Sequence, residues 1–126
     1  MHRCALTAVT LVVCASAAVA QAPRNFPATA LRGEIVVTAP PELLLNRQPA
    51  RLAPGARIRA MDNMLVMSGA ALNQRMLVNY TLDLQGQLLD VWILNPAELA
   101  RRPWPSTPQE AATWRFNADL QTWSRP

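Results

Sequence analysis

The side chains most often used in catalysis and metal binding lie almost entirely at the start of this chain of 126 residues. The one His and both Cys fall at positions His2, Cys4 and Cys14, and the sequence contains 12 Arg but no Lys. The serines beyond residue 20 therefore have no His or Lys to act as their general base. Zinc and iron sites also lack their usual ligands there. The composition predicts a protein that is not an enzyme and that needs no cofactor.

Two carboxylates give the one remaining route to acid–base catalysis. Asp83 and Asp90 flank a turn between two strand-like segments, and two close carboxylates can act as general acid and base in a hydrolase. Alternating polar and apolar residues around the turn favour the other interpretation, in which both carboxylates face solvent.

Three methionines are spaced by three residues, at Met61, Met64 and Met67. Thioether sulfur is a ligand for Cu(I), so this spacing is compatible with a copper-handling protein. In a strand, however, positions three apart alternate between faces, and Met also fills irregular cores. We expect core packing for these residues, with a metal site as the alternative.

Arginine and tryptophan lie side by side in the last third of the chain. Arg101 and Arg102 precede Trp104 between two prolines, and Arg57 and Arg59 form a second basic strip. Arg and Trp are enriched at interfaces, and a guanidinium can stack on an indole or bind a carboxylate or phosphate. These five residues are the predicted partner-binding site, and the alternative is that Trp fastens the C-terminal segment onto the sheet.

Residues 1–20 have the pattern of a secretory signal peptide. A short basic start precedes an apolar run that ends in Ala18-Val19-Ala20, which predicts cleavage between Ala20 and Gln21. A retained membrane anchor and lipidation at Cys14 are the alternatives. The signal predicts a periplasmic or secreted protein.

Removal of this segment would leave 11 Arg against 8 acidic residues, a formal charge of +3. Such a charge suits an envelope protein or an anionic envelope component as partner. It lacks the clustered, larger excess typical of nucleic-acid binding. The sequence thus predicts a non-enzymatic binding module of the cell envelope.

The pattern of residues 31–94 predicts a mainly β fold, a small antiparallel sheet or partly open barrel. Residues 21–30 read as an extended leader. The segment Leu31–Thr38 is rich in β-branched residues, a turn is expected at Pro54-Gly55, and the residues from Met76 to Leu94 form a hairpin with Gly86 in its turn.

Residues 95–126 form a Trp-rich segment with two short helices. Asn95-Pro96 and Thr107-Pro108 each place a capping side chain before Pro at the first helical position. Residues 114–123 can extend the second helix or form a small hairpin, and their strand-like spacing favours the hairpin.

The segments LRGEIVVTAPPELLLNRQPARLAPGARIR and VNYTLDLQGQLLDVWIL resemble small uncharacterised exported proteins of Gram-negative bacteria. Residues 77–94 and 107–116, which end in a W-x-F segment, are also similar to the TonB C-terminal domain. That second resemblance implies a sheet-plus-helix layout and binding of a protein partner in the envelope.

Mass spectrometry of the protein exported from a Gram-negative host tests the signal prediction. We expect a mature N-terminus at Gln21. A mass that includes a diacylglyceryl group on Cys14 would instead establish lipidation, and retention of Met1 would establish an anchor.

Overall fold

The computed structural model describes residues 23–126, a mainly β structure with two short helices. The predicted signal segment, with Cys14 and the predicted cleavage site at Ala20 and Gln21, lies outside the described residues. The elements are β1 (Leu31–Ala39), β2 (Glu42–Leu45), β3 (Gln48–Arg59), β4 (Leu65–Val66), a 3₁₀ turn (Ser68–Ala71), β5 (Met76–Leu82), β6 (Leu88–Ile93), α1 (Pro96–Leu99), α2 (Pro108–Thr113), β7 (Arg115–Asn117) and β8 (Thr122–Ser124).

Five of the strands close into a barrel. The sheet order is β2-β1-β5-β6-β3-β4, and pairing of β2 with β3 joins the ends of the five-stranded ring, with β4 as an extra strand on β3. The mainly β prediction is confirmed. The barrel is closed, however, and β3 pairs in parallel with β6 and antiparallel with β2, because the strands of a five-membered ring cannot all alternate in direction.

The turns around the long strand β3 differ from those predicted. The turn after β2 falls at Asn46 and Arg47, whose φ angles of 51° and 67° give the two-residue hairpin loop that matches strand twist. The predicted turn at Pro54-Gly55 is instead an irregularity inside β3, between Leu52 and Arg57, where pairing with β6 shifts register. Gly55 has φ of 77° there, so the strand bends without ending.

The predicted hairpin between Met76 and Leu94 is confirmed as β5 and β6. Gly86 in its turn has φ of 78°, a conformation that glycine adopts without strain. Alternate residues of β1, β5 and β6 point into the barrel and form the first core. Its largest fully buried members include Ile35, Val37, Val78, Leu88 and Val91.

The C-terminal segment follows the predicted order. Both helices begin at the predicted prolines, and Asn95 and Thr107 accept from the backbone N–H groups of Glu98 and Glu110. Residues 115–124 form the β7–β8 hairpin, so the favoured interpretation of this stretch is confirmed.

A second core covers the outer face of the barrel. Phe26, Leu94, Trp104 and Trp123 are buried in it, and the rings of Phe26, Trp92, Trp104, Phe116 and Trp123 meet in edge-to-face and tilted contacts with centroids 4.8–6.1 Å apart. Aromatic pairs in these orientations contribute beyond the area that they bury. Trp104 and Trp123 therefore fasten the C-terminal segment to the barrel.

The residues just before β1 are held by a buried ion pair. The guanidinium of Arg24 donates to both carboxylate oxygens of Glu98, at 2.9 and 2.7 Å, and the Glu98 side chain is fully buried. Arg24 also donates to the carbonyl oxygens of Ala60 and Ile93, at the ends of β3 and β6. The segment predicted as an extended leader is thus packed into the domain from residue 24 onward.

Burial alone would raise the pKa of Glu98. Hydrogen bonds from the Arg24 side chain, from the backbone N–H groups of Arg24 and Asn95, and the charge of Arg24 outweigh burial and lower that pKa below its ordinary value.

No helix within residues 23–126 has the length and apolar character needed to cross a bilayer.

We predict that Glu98→Gln lowers the free energy of unfolding by about 3 kcal/mol at pH 7, because the substitution leaves the buried Arg24 without a counter-charge. Ionised Glu98 favours the folded state. Its contribution is therefore complete above its ordinary pKa of 4.5 and is lost as pH falls through the lowered pKa of the folded state. Urea denaturation at a series of pH values measures both effects.

Glu42→Gln is the matched control. Glu42 pairs with Arg51 at 3.4 Å, but both side chains are more than half exposed, so its loss should cost less than about 1 kcal/mol. A stability difference between Glu98→Gln and the wild type that stays constant down to low pH would contradict the role assigned to Glu98.

Candidate functional site

A cleft of about 660 Å³ lies where the C-terminal segment crosses the outer face of β1 and β5. Three arginines and two tryptophans line it together with one carboxylate. The lining residues are Arg32, Leu77, Leu99, Arg102, Pro103, Trp104, Ser106, Glu110, Trp114 and Arg125. Its size falls within the range of small-molecule sites, and its positive charge suits an anion.

Two of the three arginines are exposed. The Nε–H of Arg102 donates to the carbonyl oxygen of Leu99 at 3.2 Å. Within the described residues, the two terminal nitrogens of Arg102 make no hydrogen bond. The guanidinium of Arg125 lies over the ring of Trp114, 5.1 Å from its centroid. Cation–π contact orients Arg125 without using its N–H donors, so both residues can bind a ligand.

The third arginine, Arg32, is half-buried on β1. Its Nε donates to Asn79, its terminal nitrogens donate to the carbonyl oxygens of Arg101 and Glu98, and its guanidinium lies 5.1 Å from the Trp104 ring centroid. Burial, together with the positive charges of Arg102 and Arg101, lowers the pKa of Arg32 to about 10 despite the opposing effect of Glu98. Arg32 is therefore still charged at neutral pH and sits among like charges.

Two of the predicted partner-binding residues make structural contacts. Trp104 is buried, and its indole N–H donates to the carbonyl oxygen of Ala30 at 3.0 Å. Arg101 donates to the carbonyl oxygen of Arg24 at 2.6 Å and lies over the Phe26 ring. Of the predicted trio, Arg102 is the exposed member, and Trp104 contributes a wall of the cleft.

The second basic strip lies on β3, away from the cleft lining. Arg57 is exposed, whereas Arg59 forms an ion pair with Asp90 at 3.5 Å and lies 6.0 Å from the Trp92 ring centroid. The structure therefore does not unite Arg57 and Arg59 with Arg102 in one site.

The two candidate carboxylates bind different partners. Asp83 accepts from the backbone N–H groups of Gln85 and Gln87 and closes the β5–β6 turn. Asp90 faces Arg59, and its backbone N–H donates to Thr81. Each carboxylate thus has a local structural partner, and no hydrogen bond links the two.

The methionine run lies at the tip of the β3–β4 hairpin. Met61, Met64 and Met67 are 46%, 67% and 80% exposed, so the expectation of core packing is wrong for these three. The register pairs Arg59 with Leu65 and Ile58 with Val66, and Met67 follows in an extended conformation. Because side chains alternate along an extended chain, Met64 and Met67 point to opposite faces. A joint Cu(I) site gains no support from this arrangement.

Two of the three arginines of the cleft were not among the predicted site residues. Arg32 lies in an ordinary β pattern and Arg125 lies one residue from the C-terminus, and neither position carries a local signal. Alternation along β1 does predict that Arg32 points away from the barrel core. Its partners in the C-terminal segment, the carbonyl oxygens of Glu98 and Arg101, lie more than 60 residues away in sequence.

Comparison with known proteins gives no relative, since no protein-family model, curated protein or solved structure matches the chain. The resemblances to small exported proteins and to the TonB C-terminal domain remain predictions.

Arg101 and Arg102 are adjacent in sequence but should respond differently to substitution. We predict that Arg101→Ala lowers the free energy of unfolding by about 2 kcal/mol, because it removes a charge-assisted hydrogen bond between two buried segments. Arg102→Ala should leave stability unchanged or raise it, because it removes a positive charge near Arg32. Urea denaturation compares the two, and equal losses would contradict this assignment.

Proposed function

We propose that this protein is an exported, non-enzymatic binding module that binds an anionic group of a cell-envelope partner in the arginine-lined cleft. The main support for the proposal is the net positive charge of the cleft lining, which contains three arginines and one carboxylate. These residues are Arg32, Arg102, Arg125 and Glu110. Planar guanidinium groups bind carboxylates and phosphates through paired hydrogen bonds.

The chemistry of the cleft supports binding in preference to catalysis. Glu110, its one acidic residue, accepts hydrogen bonds from the hydroxyls of Ser106 and Thr107 at the start of α2. These contacts account for one carboxylate oxygen and tie the Glu110 side chain to the start of α2, where Thr107 is the cap. The cleft therefore offers donors for an anion and lacks a His, Lys or second carboxylate to transfer a proton.

The fold is compatible with this function but does not establish it. The ring order, with β3 and β6 as its one parallel pair, resembles that of OB-type barrels, which are five-stranded Greek-key barrels. Barrels of one type serve many functions, so the proposal depends on the cleft residues. The predicted export signal at residues 1–20 favours the envelope as the compartment.

A pull-down from solubilised Gram-negative envelope tests the proposal. We predict that the double variant Arg102→Ala/Arg125→Ala loses at least ten-fold in recovery of the partner, because both exposed guanidinium groups are removed. Wild-type recovery should fall with added salt, as expected for a partly exposed ionic contact.

Arg75→Ala/Arg115→Ala is the matched control, since both residues are exposed, lie outside the cleft lining and carry the same charge. It should retain wild-type recovery. Equal recovery by all three proteins would refute the cleft as the binding site, and equal loss in both double variants would show a response to net charge alone.

A further inference from the structure

The cleft combines positive charge with an exposed apolar floor. Leu77 points outward from β5 and is 48% exposed. Leu99, Pro103 and Trp114 line the same cleft. A small inorganic anion would leave these surfaces uncovered. We propose that the cleft binds a phosphomonoester carried on an apolar group, with its dianion among Arg32, Arg102 and Arg125 and its apolar part against Leu77, Leu99 and Trp114. This inference rests on the proposed function and names its ligand class.

The number of available donors favours a phosphate group. A guanidinium has five N–H donors, and Arg32 uses one on each of its three nitrogens for protein acceptors. One N–H on each terminal nitrogen of Arg32 therefore remains for a ligand. Arg102 and Arg125 add the donors of two exposed guanidinium groups. A phosphomonoester has three terminal oxygens that accept such bonds, whereas a carboxylate has two.

The charge of the free cleft also favours a dianion. Three guanidinium groups against Glu110 leave an excess of two positive charges, and a phosphomonoester above its second pKa of about 6 supplies close to two negative charges. The mutual repulsion of Arg32 and Arg102 would be relieved by that ligand. A monoanion would neutralise only one of these two positive charges.

The cleft is larger than a phosphate group alone would fill. A volume of about 660 Å³ is in the range that accommodates an organic ligand. The apolar residues form the floor while the arginines approach from β1, the segment after α1 and the C-terminus. This arrangement fits a ligand with a charged end and an apolar body.

Titration of the purified full chain with three probes tests the ligand class. Phenyl phosphate carries both the dianion and an apolar ring, inorganic phosphate lacks the ring, and benzoate carries the ring with a single charge. At pH 8 and constant ionic strength, we expect phenyl phosphate to bind at least ten-fold more tightly than either of the others. Tryptophan fluorescence is the readout, because Trp104 and Trp114 line the cleft, and the ³¹P resonance of the probe is an independent one.

Variants locate the site. Arg102→Ala/Arg125→Ala should abolish phenyl phosphate binding, and Arg75→Ala/Arg115→Ala should retain it. Leu77→Ser should weaken phenyl phosphate towards the affinity of inorganic phosphate, since it removes part of the apolar floor at an exposed position. Thermal unfolding of each variant checks that its fold is intact.

Vesicle sedimentation distinguishes a lipid from a soluble source of the phosphate. Co-sedimentation with phosphatidylcholine vesicles that contain phosphatidic acid, reversed by phenyl phosphate, would support the phosphomonoester and identify a lipid headgroup. Binding of phenyl phosphate without co-sedimentation would support it and identify a soluble ligand.

Three outcomes would overturn the inference, and they separate it from the proposed function. If inorganic phosphate binds as tightly as phenyl phosphate, the apolar part of the ligand is refuted while an anion-binding cleft stands. If benzoate binds as tightly as phenyl phosphate, the cleft takes monoanions, so the phosphomonoester is refuted while an anion-binding cleft stands. If none of the probes binds, the phosphomonoester is refuted. The proposed function then stands or falls on the pull-down with the two double variants.

Discussion

The buried ion pair between Arg24 and Glu98 is the contact on which the arrangement of the outer layer depends. Removing a carboxylate from water is costly, and Glu98 is compensated by hydrogen bonds from the backbone and side chain of Arg24 and from the backbone of Asn95. Those bonds fix the N-terminal segment and α1 against the ends of β3 and β6. The aromatic second core can form only with both segments in place, because Phe26 comes from one and Trp104 follows the other. The cleft is the edge of this assembled layer.

Local patterns predicted the individual elements well. The β5–β6 hairpin, both helix starts and the C-terminal hairpin each depend on neighbouring residues, such as Gly86 in a turn or Asn95 before Pro96. The signals failed where the partner is distant in sequence. Pro54-Gly55 looks like a turn, but pairing of β3 with β6 keeps the strand continuous through a bend. The ring likewise depends on the pairings of β1 with β5 and of β3 with β6, which join segments too far apart in sequence for a local pattern to encode.

The candidate site was predicted in part, for the same reason. Arg102 stood out because it lies beside Trp104 in a proline-bounded segment, whereas Arg32 and Arg125 reach the cleft only through the fold. Residue type alone could not distinguish an exposed arginine of the cleft from one that makes structural contacts. Arg101 and Arg102 have the same side chain and differ only in their surroundings. The exposed methionines gave the opposite error. Met usually fills cores, yet β4 is an edge strand outside the five-stranded ring, and Met64 and Met67 on either side of it are exposed.

A chain that contains arginine but no lysine can use one cationic residue type for two purposes. Arg24 and Arg101 direct their donors to backbone carbonyls and a buried carboxylate, which a guanidinium satisfies through several nitrogens at once. Arg32 makes such contacts too, but it keeps two donors and lies near Arg102, so it joins the structural layer to the cleft. Like charges held close together work against folding, and the free protein tolerates them because the Arg24–Glu98 pair and the aromatic core hold the layer together. That tolerance leaves positive charge beside Leu77, where an anion with an apolar body can neutralise it.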